Sequence, residues 1–200
     1  YIQSAFKENI NNGMAYVPSN FSTKQRDYLS ERLLEEADIK NGKVFYCNAG
    51  ADANEFACFI SNEYHYYTNH NKYNIKNRIL SFEKSFHGGS TIAASLLSGD
   101  KRRNEKNKYY NMPFEPILEN PKLEDNGKKS LNNINRKFLN NNNISGVVLE
   151  GSSGTAGCIL YPDNYLKSIE KLCKQNDIIL ICDEVMSGFG RTGDFFAHSK

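Results

Sequence analysis

Two small residues, Gly50 and Ala51, stand where an apolar segment gives way to a helical pattern. Gly50 lets the backbone approach a ligand closely, and the free amide groups at a helix start attract an anion such as phosphate. An ordinary strand-to-helix turn explains the same residues equally well. The local sequence matches neither GxGxxG nor GxxxxGKS, which disfavours a dinucleotide or a nucleoside triphosphate.

A carboxylate, Asp183, ends the most apolar run of the chain, the segment IILIC at 178–182. A buried carboxylate is costly unless it is paired, so this position predicts a cationic partner. Two partners fit equally well at this point: the protonated ring nitrogen of a bound heterocycle, or a structural salt bridge to Arg191.

Three further residues of suitable chemistry follow other apolar segments. Phe86 offers an aromatic face that stacks on a flat heterocycle, and His87 places an imidazole beside it. Core packing of Phe86 and a polar contact of His87 explain the pair as well. Glu150 ends another apolar segment and is a candidate to orient a ligand or an arginine.

The elements that must position these residues alternate along the chain. Short apolar runs predict strands at 43–47, 78–82, 146–150 and 178–182. Helical spacing predicts helices at 23–38, 52–67, 90–97, 130–140 and 162–175, the last beginning at Pro162.

This alternation predicts an α/β fold with a mainly parallel sheet and flanking helices. Ligands of such sheets bind outside the carboxyl ends of the strands, where the candidate residues fall. The segment at about 99–143 interrupts the pattern because it is polar and rich in Asn and Lys. We interpret it, with the basic cluster 101–103, as a solvated surface excursion.

Composition excludes several classes of function. The net charge is +2, from 25 basic and 23 acidic residues, so no basic field predicts a nucleic-acid or anionic-membrane partner. No apolar run approaches the roughly 20 residues that cross a bilayer. The five cysteines are odd in number, show no zinc-like spacing with the four histidines, and include Cys47 and Cys182 as predicted buried thiols. We therefore expect no metal site and a reducing, intracellular location, with cytoplasm and mitochondrion undistinguished.

Two segments in this order resemble one known family. The segment VFYCNAGADANE at 44–55 resembles the phosphate-binding turn of the class III aminotransferases, and ICDEVMSGFGRTG at 181–193 resembles their signature segment. These are fold-type I enzymes that use pyridoxal 5'-phosphate. The resemblance extends from Phe6 to Phe196 and is strongest over 146–193.

The resemblance implies cofactor contacts at the first two strand ends. Gly50 and Ala51 would donate backbone amides to the cofactor phosphate. Phe86 would stack on the pyridine ring, with His87 beside it.

At the later strand ends, the resemblance implies that Asp183 pairs with the protonated pyridine nitrogen. Val185 would pack on the opposite ring face, and Met186 would lie near the ring. Glu150 would lie near the phenolic edge, as a candidate to hold a substrate-binding arginine.

Three positions depart from the family pattern. Ala49 stands where a serine or threonine is usual, and Gly151 stands where proline usually follows the glutamate. Met186 replaces a glutamine found in many members. The methionine form resembles the subgroup that passes an amino group from taurine, β-alanine or other ω-amino donors to pyruvate.

The family's Schiff-base lysine has no counterpart here. Lys200 follows Asp183 too soon, so we interpret it as a surface lysine. We expect a chain incomplete at both ends, with an N-terminal segment at 1–22, part of the cofactor-binding large domain at 23–200, and the C-terminal small domain absent.

The resemblance predicts a transaminase that moves an amino group from an amine or amino acid to an oxo acid such as pyruvate, as a homodimer in the complete parent. Two alternatives remain: a truncated, non-catalytic protein of the same fold, and an unrelated α/β module that binds another phosphate ligand.

Overall fold

The computed structural model describes residues 1–13, 17–18, 21–68, 76–90 and 118–199. Most of the predicted helix at 90–97, the basic cluster 101–103, the excursion as far as residue 117, and Lys200 lie outside them. Contacts divide the chain into two compact units, Tyr1–Tyr46 and Cys47–Lys200. The predicted domain division between residues 22 and 23 stays a prediction.

The first unit contains two helices, α1 (Ile2–Asn11) and α2 (Lys24–Glu36). The sequence predicts α2, whose start is capped by the Thr23 hydroxyl, which accepts a hydrogen bond from the amide of Arg26 at 3.2 Å. The sequence analysis did not identify α1.

The strand predicted at 43–47 is wrong. The segment forms no strand and pairs with none among the described residues, and Phe45 is mostly exposed. Cys47, predicted to be a buried thiol, is likewise exposed. An apolar run forms a strand only where a neighbouring strand hydrogen-bonds to its backbone. The local sequence does not reveal whether such a neighbour exists.

The second unit is built on a three-stranded sheet formed by β1 (Arg78–Leu80), β2 (Ile144–Glu150) and β3 (Ile179–Asp183). The order is β1-β2-β3, and both pairs are parallel. The register aligns Glu150 with Asp183, so the two carboxylates end neighbouring strands. The predicted parallel sheet is confirmed.

Helices cover both faces of this sheet. They are α3 (Gly50–Thr68), α4 (Lys128–Asn140) and α5 (Tyr165–Gln175). Val147 and Leu149 of β2 join the core cluster that includes Ile134 of α4 and Ile169 of α5. Val148, between them, faces Cys58 of α3, as the two-residue period of a strand requires.

The last part of the polar segment 99–143 contributes to the core. Leu118 and Ile134 are fully buried, and Phe138 follows Ile134 by one helical turn. An isolated parallel bridge joins Phe82, which follows β1, to Leu118. This part of the segment therefore packs against the sheet despite its polar composition.

The predicted start of α5 at Pro162 is also wrong, because the helix begins at Tyr165. The carbonyl of Pro162 accepts a hydrogen bond from the Tyr165 amide in a turn, and Asn164 takes a φ of 62°. A residue in the left-handed region cannot continue a right-handed helix, so the helix starts after it.

Candidate active site

A cavity of about 390 Å³ opens at the carboxyl ends of the strands. All eight residues singled out in the sequence line it together: Gly50, Ala51, Phe86, His87, Glu150, Asp183, Val185 and Met186. Asn54, Ser152 and Ser187 also line it. The topology therefore brings together residues that are up to 137 positions apart in the chain, Gly50 and Ser187.

The N-terminus of α3 forms one side of the cavity. Gly50 is the first residue of the helix, and the first amide groups of any helix lack a partner within it. A Cβ atom at Gly50 would lie 2.6 Å from Cγ2 of Val185. Glycine is thus needed for α3 to approach the loop after β3, and the approach leaves an anion-attracting helix end beside the cavity.

The Asp183 carboxylate is buried and has three protein partners. Its Oδ2 accepts hydrogen bonds from Nδ2 of Asn54 and Nδ1 of His87, both at 2.8 Å, and its Oδ1 accepts from the Val185 amide at 3.0 Å. Because an ionised carboxylate only accepts, Nδ1 of His87 must carry the proton. Arg191 is exposed, and no described contact joins it to Asp183.

These hydrogen bonds keep Asp183 ionised. Burial alone would raise the pKa of the carboxyl group, but the hydrogen bonds from His87, the Val185 amide and Asn54 outweigh burial and lower the pKa. A carboxylate offers about four acceptor positions, so three partners leave room for one further donor from the cavity.

Asn54 is the site residue that the sequence analysis missed. Its amide nitrogen donates to the His87 carbonyl at 2.9 Å as well as to Asp183, so it joins α3 to two strand-end loops. It lies four residues after Gly50, on the same face of the helix. That spacing was the available signal.

Phe86 and His87 follow β1 and differ in burial. Phe86 is 42% exposed, whereas His87 is almost completely buried against Asp183. A half-exposed aromatic ring at a cavity wall is the kind of group on which a planar ligand stacks.

Glu150 ends β2 with its carboxylate held by hydroxyl groups. Its Oε2 accepts a hydrogen bond from Ser153 at 2.9 Å, and its Oε1 accepts one from Thr155 at 3.3 Å. Burial, with a smaller contribution from the charge of Asp183, raises the pKa of Glu150. The two strand-end carboxyl groups therefore differ: Asp183 is stabilised as an anion, and Glu150 is shifted towards the protonated form.

Val185 and Met186 complete the wall after β3. They are 65% and 60% exposed, so their side chains present apolar surface to the cavity. The arrangement as a whole offers an anion site, apolar faces for a planar group and a buried carboxylate with spare acceptor capacity.

The described residues contain neither a metal centre nor a membrane-spanning helix. Within the ranges that the structure describes, no three His, Cys, Asp or Glu side chains come together as a metal centre. None of the helices in those ranges has the length and apolar character needed to cross a bilayer.

Comparison with known proteins identifies the family. The aminotransferase class-III family profile matches residues 2–200. Adenosylmethionine-8-amino-7-oxononanoate aminotransferase of Staphylococcus aureus is 33% identical over 180 residues, which cover 84% of this chain and 39% of that protein. Acetylornithine aminotransferase of Oceanobacillus iheyensis is 38% identical over 159 residues, covering 78% and 35%.

A solved structure shows the same fold. The taurine:2-oxoglutarate aminotransferase of Bifidobacterium kashiwanohense, in complex with pyridoxal phosphate and glutamate, superposes with a TM-score of 0.84 at 29% identity. The superposition covers 99% of this chain and 45% of that one. The chain belongs to the class-III aminotransferase family, and it spans less than half the length of these relatives.

Proposed function

We propose that the chain provides the cofactor-binding part of a pyridoxal-phosphate-dependent transaminase. The protein would move an amino group from an amine or amino acid to an oxo acid such as pyruvate. The observation that carries this proposal is the convergence of the α3 N-terminus, Phe86 and the ionised Asp183 on one cavity. These three features match the phosphate, the ring and the ring nitrogen of the cofactor.

The residues present fit pyridoxal phosphate. The amides of Gly50 and Ala51 would bind the phosphate, while Phe86 and Val185 would contact the ring. The spare acceptor position of Asp183 would accept a hydrogen bond from the protonated ring nitrogen. When bound, the cofactor supplies an electron sink for the substrate carbon that loses its proton.

In this proposal the protein's own residues would stabilise the proton on the ring nitrogen of the cofactor. Asp183 remains ionised because three donors stabilise its charge, and an ionised partner keeps the ring nitrogen protonated. Asn54 and His87 fix the direction of the carboxylate. Glu150, with its raised pKa, would face the phenolic edge as a group that can carry a proton.

The remaining parts of the proposal rest on the family. The Schiff-base lysine lies outside Tyr1–Lys200 in this scheme, and the active unit is an intracellular homodimer with neither nucleic acid nor membrane as partner. Met186 favours an ω-amino donor such as taurine or β-alanine with pyruvate as acceptor. Curated relatives include acetylornithine aminotransferases, whose name indicates a different amino donor. The donor of this protein is therefore to be determined by assaying several amines.

A titration tests the cofactor assignment. We expect the chain to bind pyridoxal phosphate reversibly and to bind pyridoxal, which lacks the phosphate, at least tenfold more weakly, since a phosphate at a helix N-terminus is the anion such a site selects. Equal affinity for the two compounds would contradict the phosphate site at Gly50 and Ala51. An unrelated phosphate-binding module would instead bind inorganic phosphate and pyridoxal phosphate alike.

A further inference from the structure

A third carboxylate, Glu184, directly follows Asp183 but does not line the cavity. Its side chain is only 12% exposed, so its charge must be stabilised by the protein. The surroundings of this carboxylate include the loop after β3 and the loop after β2, both of which border the cavity.

Three hydrogen bonds converge on Glu184. Its Oε2 accepts from the Ser187 hydroxyl at 2.5 Å, and its Oε1 accepts from the His198 amide at 2.8 Å and from Nδ1 of His198 at 2.9 Å. Its own carbonyl accepts from the Gly188 amide at 2.9 Å. The carboxylate therefore closes the loop 184–188 and ties it to the short 3-10 helix Ala197–Ser199.

The loop 184–188 contains Val185 and Met186, which form one wall of the cavity. Val185 and Met186 lie between Glu184 and Ser187, and because both are mostly exposed, packing of their own side chains does little to hold them. The loop's shape depends instead on the Glu184 hydrogen bonds and on the bond from the Val185 amide to Asp183.

The loop after β2 meets the same carboxylate. A Cβ atom at Gly151 would lie 2.7 Å from the Ser187 hydroxyl oxygen, 2.7 Å from Cβ of Ala197 and 3.1 Å from Oε1 of Glu184. The Gly151 amide also donates to the Asp183 carbonyl at 3.3 Å. Gly151 directly follows the site residue Glu150, and Glu184 directly follows Asp183, so the contacts around Glu184 lie next to the ends of both strands.

Hydrogen bonds stabilise the negative charge of Glu184. Burial alone would raise its pKa, but the hydrogen bonds from His198 and Ser187 outweigh burial and lower the pKa to about 2. Glu184 is therefore ionised at all pH values at which the protein would work, and its three acceptor contacts persist.

We propose that Glu184 is a positioning residue that, through Ser187 and His198, fixes the Val185–Met186 wall and thereby sets the affinity and orientation of the bound cofactor. The proposal rests on the proposed function, since it concerns the same cavity. Glu184 would act without touching the cofactor.

The test compares variants of the protein at its full natural length. Glu184→Gln removes the charge, and His198→Leu removes the imidazole donor, whereas His198→Asn keeps a donor at a similar position. Glu170→Gln is the matched control, because Glu170 is an exposed residue of α5 that pairs with Lys174. Each variant is titrated with pyridoxal phosphate, and the visible circular dichroism of the bound cofactor is recorded at saturation.

We expect Glu184→Gln to raise the Kd for pyridoxal phosphate about tenfold, because hydrogen bonds to a charged group are among the strongest in a protein. His198→Leu should raise it by a smaller factor. Both variants should weaken the circular dichroism signal at saturation, while His198→Asn and Glu170→Gln stay near the parent.

Other results separate the two proposals. A parent protein that does not bind pyridoxal phosphate would overturn the proposed function itself. A parent that binds, with Glu184→Gln and His198→Leu lowering only the Tm while Kd and circular dichroism stay unchanged, would overturn the positioning role alone. If Glu184→Gln fails to fold, the comparison of His198→Leu with His198→Asn tests the positioning role, again by the Kd for pyridoxal phosphate and by circular dichroism.

Discussion

At the scale of single residues, the site depends on how Asp183 is held. Its charge is balanced by neutral donors and an imidazole rather than by an exposed arginine, so the carboxylate keeps an acceptor position for a ligand. A full salt bridge to Arg191 would have used that position. Among the described contacts none joins Arg191 to Asp183, and a bound ring nitrogen as the partner of Asp183 stays our proposal.

The first prediction concerns this charge. In the protein at its full natural length, Asp183→Asn should reduce transaminase turnover at least a hundredfold and weaken pyridoxal phosphate binding at least tenfold, because a neutral amide cannot stabilise a ring proton. Each pKa unit lost by the ring nitrogen corresponds to about 1.4 kcal/mol. Asp163→Asn, at an exposed position outside the cavity, is the control. Near-parent turnover in Asp183→Asn would refute the assignment.

The second prediction concerns Asn54. Asn54→Ala removes both donors from a buried position and leaves the His87 carbonyl and the Asp183 carboxylate each short of one partner. We expect the free energy of unfolding to fall by about 2 kcal/mol, as is typical when buried acceptors lose a donor. Chemical unfolding followed by circular dichroism measures the change.

A matched control for Asn54→Ala lies on α4. Asn132 is an exposed helical residue, and its change to alanine should leave stability within about 0.5 kcal/mol. If Asn54→Ala is as mild as Asn132→Ala, the hydrogen bonds of Asn54 contribute nothing measurable.

The residues that the sequence could and could not predict differ in a physical way. Gly50 and Asp183 stand out because a flexible residue at a helix start and a charge after an apolar strand are unusual locally. Asn54 is marked in the sequence only by its position four residues after Gly50, since an asparagine in a helix is most often a surface residue. Its importance comes from its contacts with the His87 carbonyl and the Asp183 carboxylate, which are 33 and 129 positions away.

At the scale of elements, the loops after β2 and β3 are fitted to each other. Gly151 has no room for a side chain, whereas a Cβ at Gly154 would make only ordinary contacts of 3.5 Å with Met186. The proline that is usual at position 151 in the family would also remove the amide that bonds to the Asp183 carbonyl. Glycine at position 151 therefore both keeps this hydrogen bond and leaves room for Ser187 and Ala197.

The third prediction follows from that pair of glycines. Gly151→Ala should lower the free energy of unfolding by about 1 to 3 kcal/mol, the usual cost of forcing a methyl group into a packed position. Gly154→Ala, in the same loop, should change it by less than about 1 kcal/mol. Thermal unfolding of the two variants side by side checks the difference, and equal Tm values would show that the junction adjusts without cost.

The elements themselves were predictable where a local pattern and a tertiary partner agree. The apolar runs of β2 and β3 lie in a real sheet, and the helical spacing of α2, α3 and α4 corresponds to real helices. The run at 43–47 has the same local character but pairs with no described strand. The start of α5 was predicted at the wrong residue because the preference of proline for the first helical turn gives no information on the left-handed backbone conformation of Asn164.

At the scale of the whole second unit, the cavity lies at one end of the strands and a buried histidine at the other. His65 of α3 is only 2% exposed, and its Nε2 donates to the Ser145 carbonyl at 3.0 Å. Its Nδ1 lies 3.6 Å from the carboxylate of Asp177, which also faces the Lys76 ammonium at 3.4 Å. The cluster joins the end of α3 to the starts of β2 and β3.

Burial lowers the pKa of His65 below its usual 6.5, with a smaller contribution from Lys76; the contact with Ser145 and the charge of Asp177 act in the opposite direction. Well above pH 6.5 the histidine is neutral in both the folded and the unfolded chain. Below that pH the unfolded chain binds a proton that the folded chain resists, so stability falls as the pH drops.

The fourth prediction is that this acid loss of stability depends on His65. His65→Gln cannot take up a proton in this range, yet its side-chain amide can still donate to the Ser145 carbonyl. The parent should lose stability between about pH 7 and pH 5, whereas the variant should lose less, so that the gap between them narrows or reverses on acidification. Because the chain has no tryptophan, urea unfolding is best followed by circular dichroism. Parallel stability curves for the two proteins across this range would mean that His65 titrates alike in the folded and unfolded states.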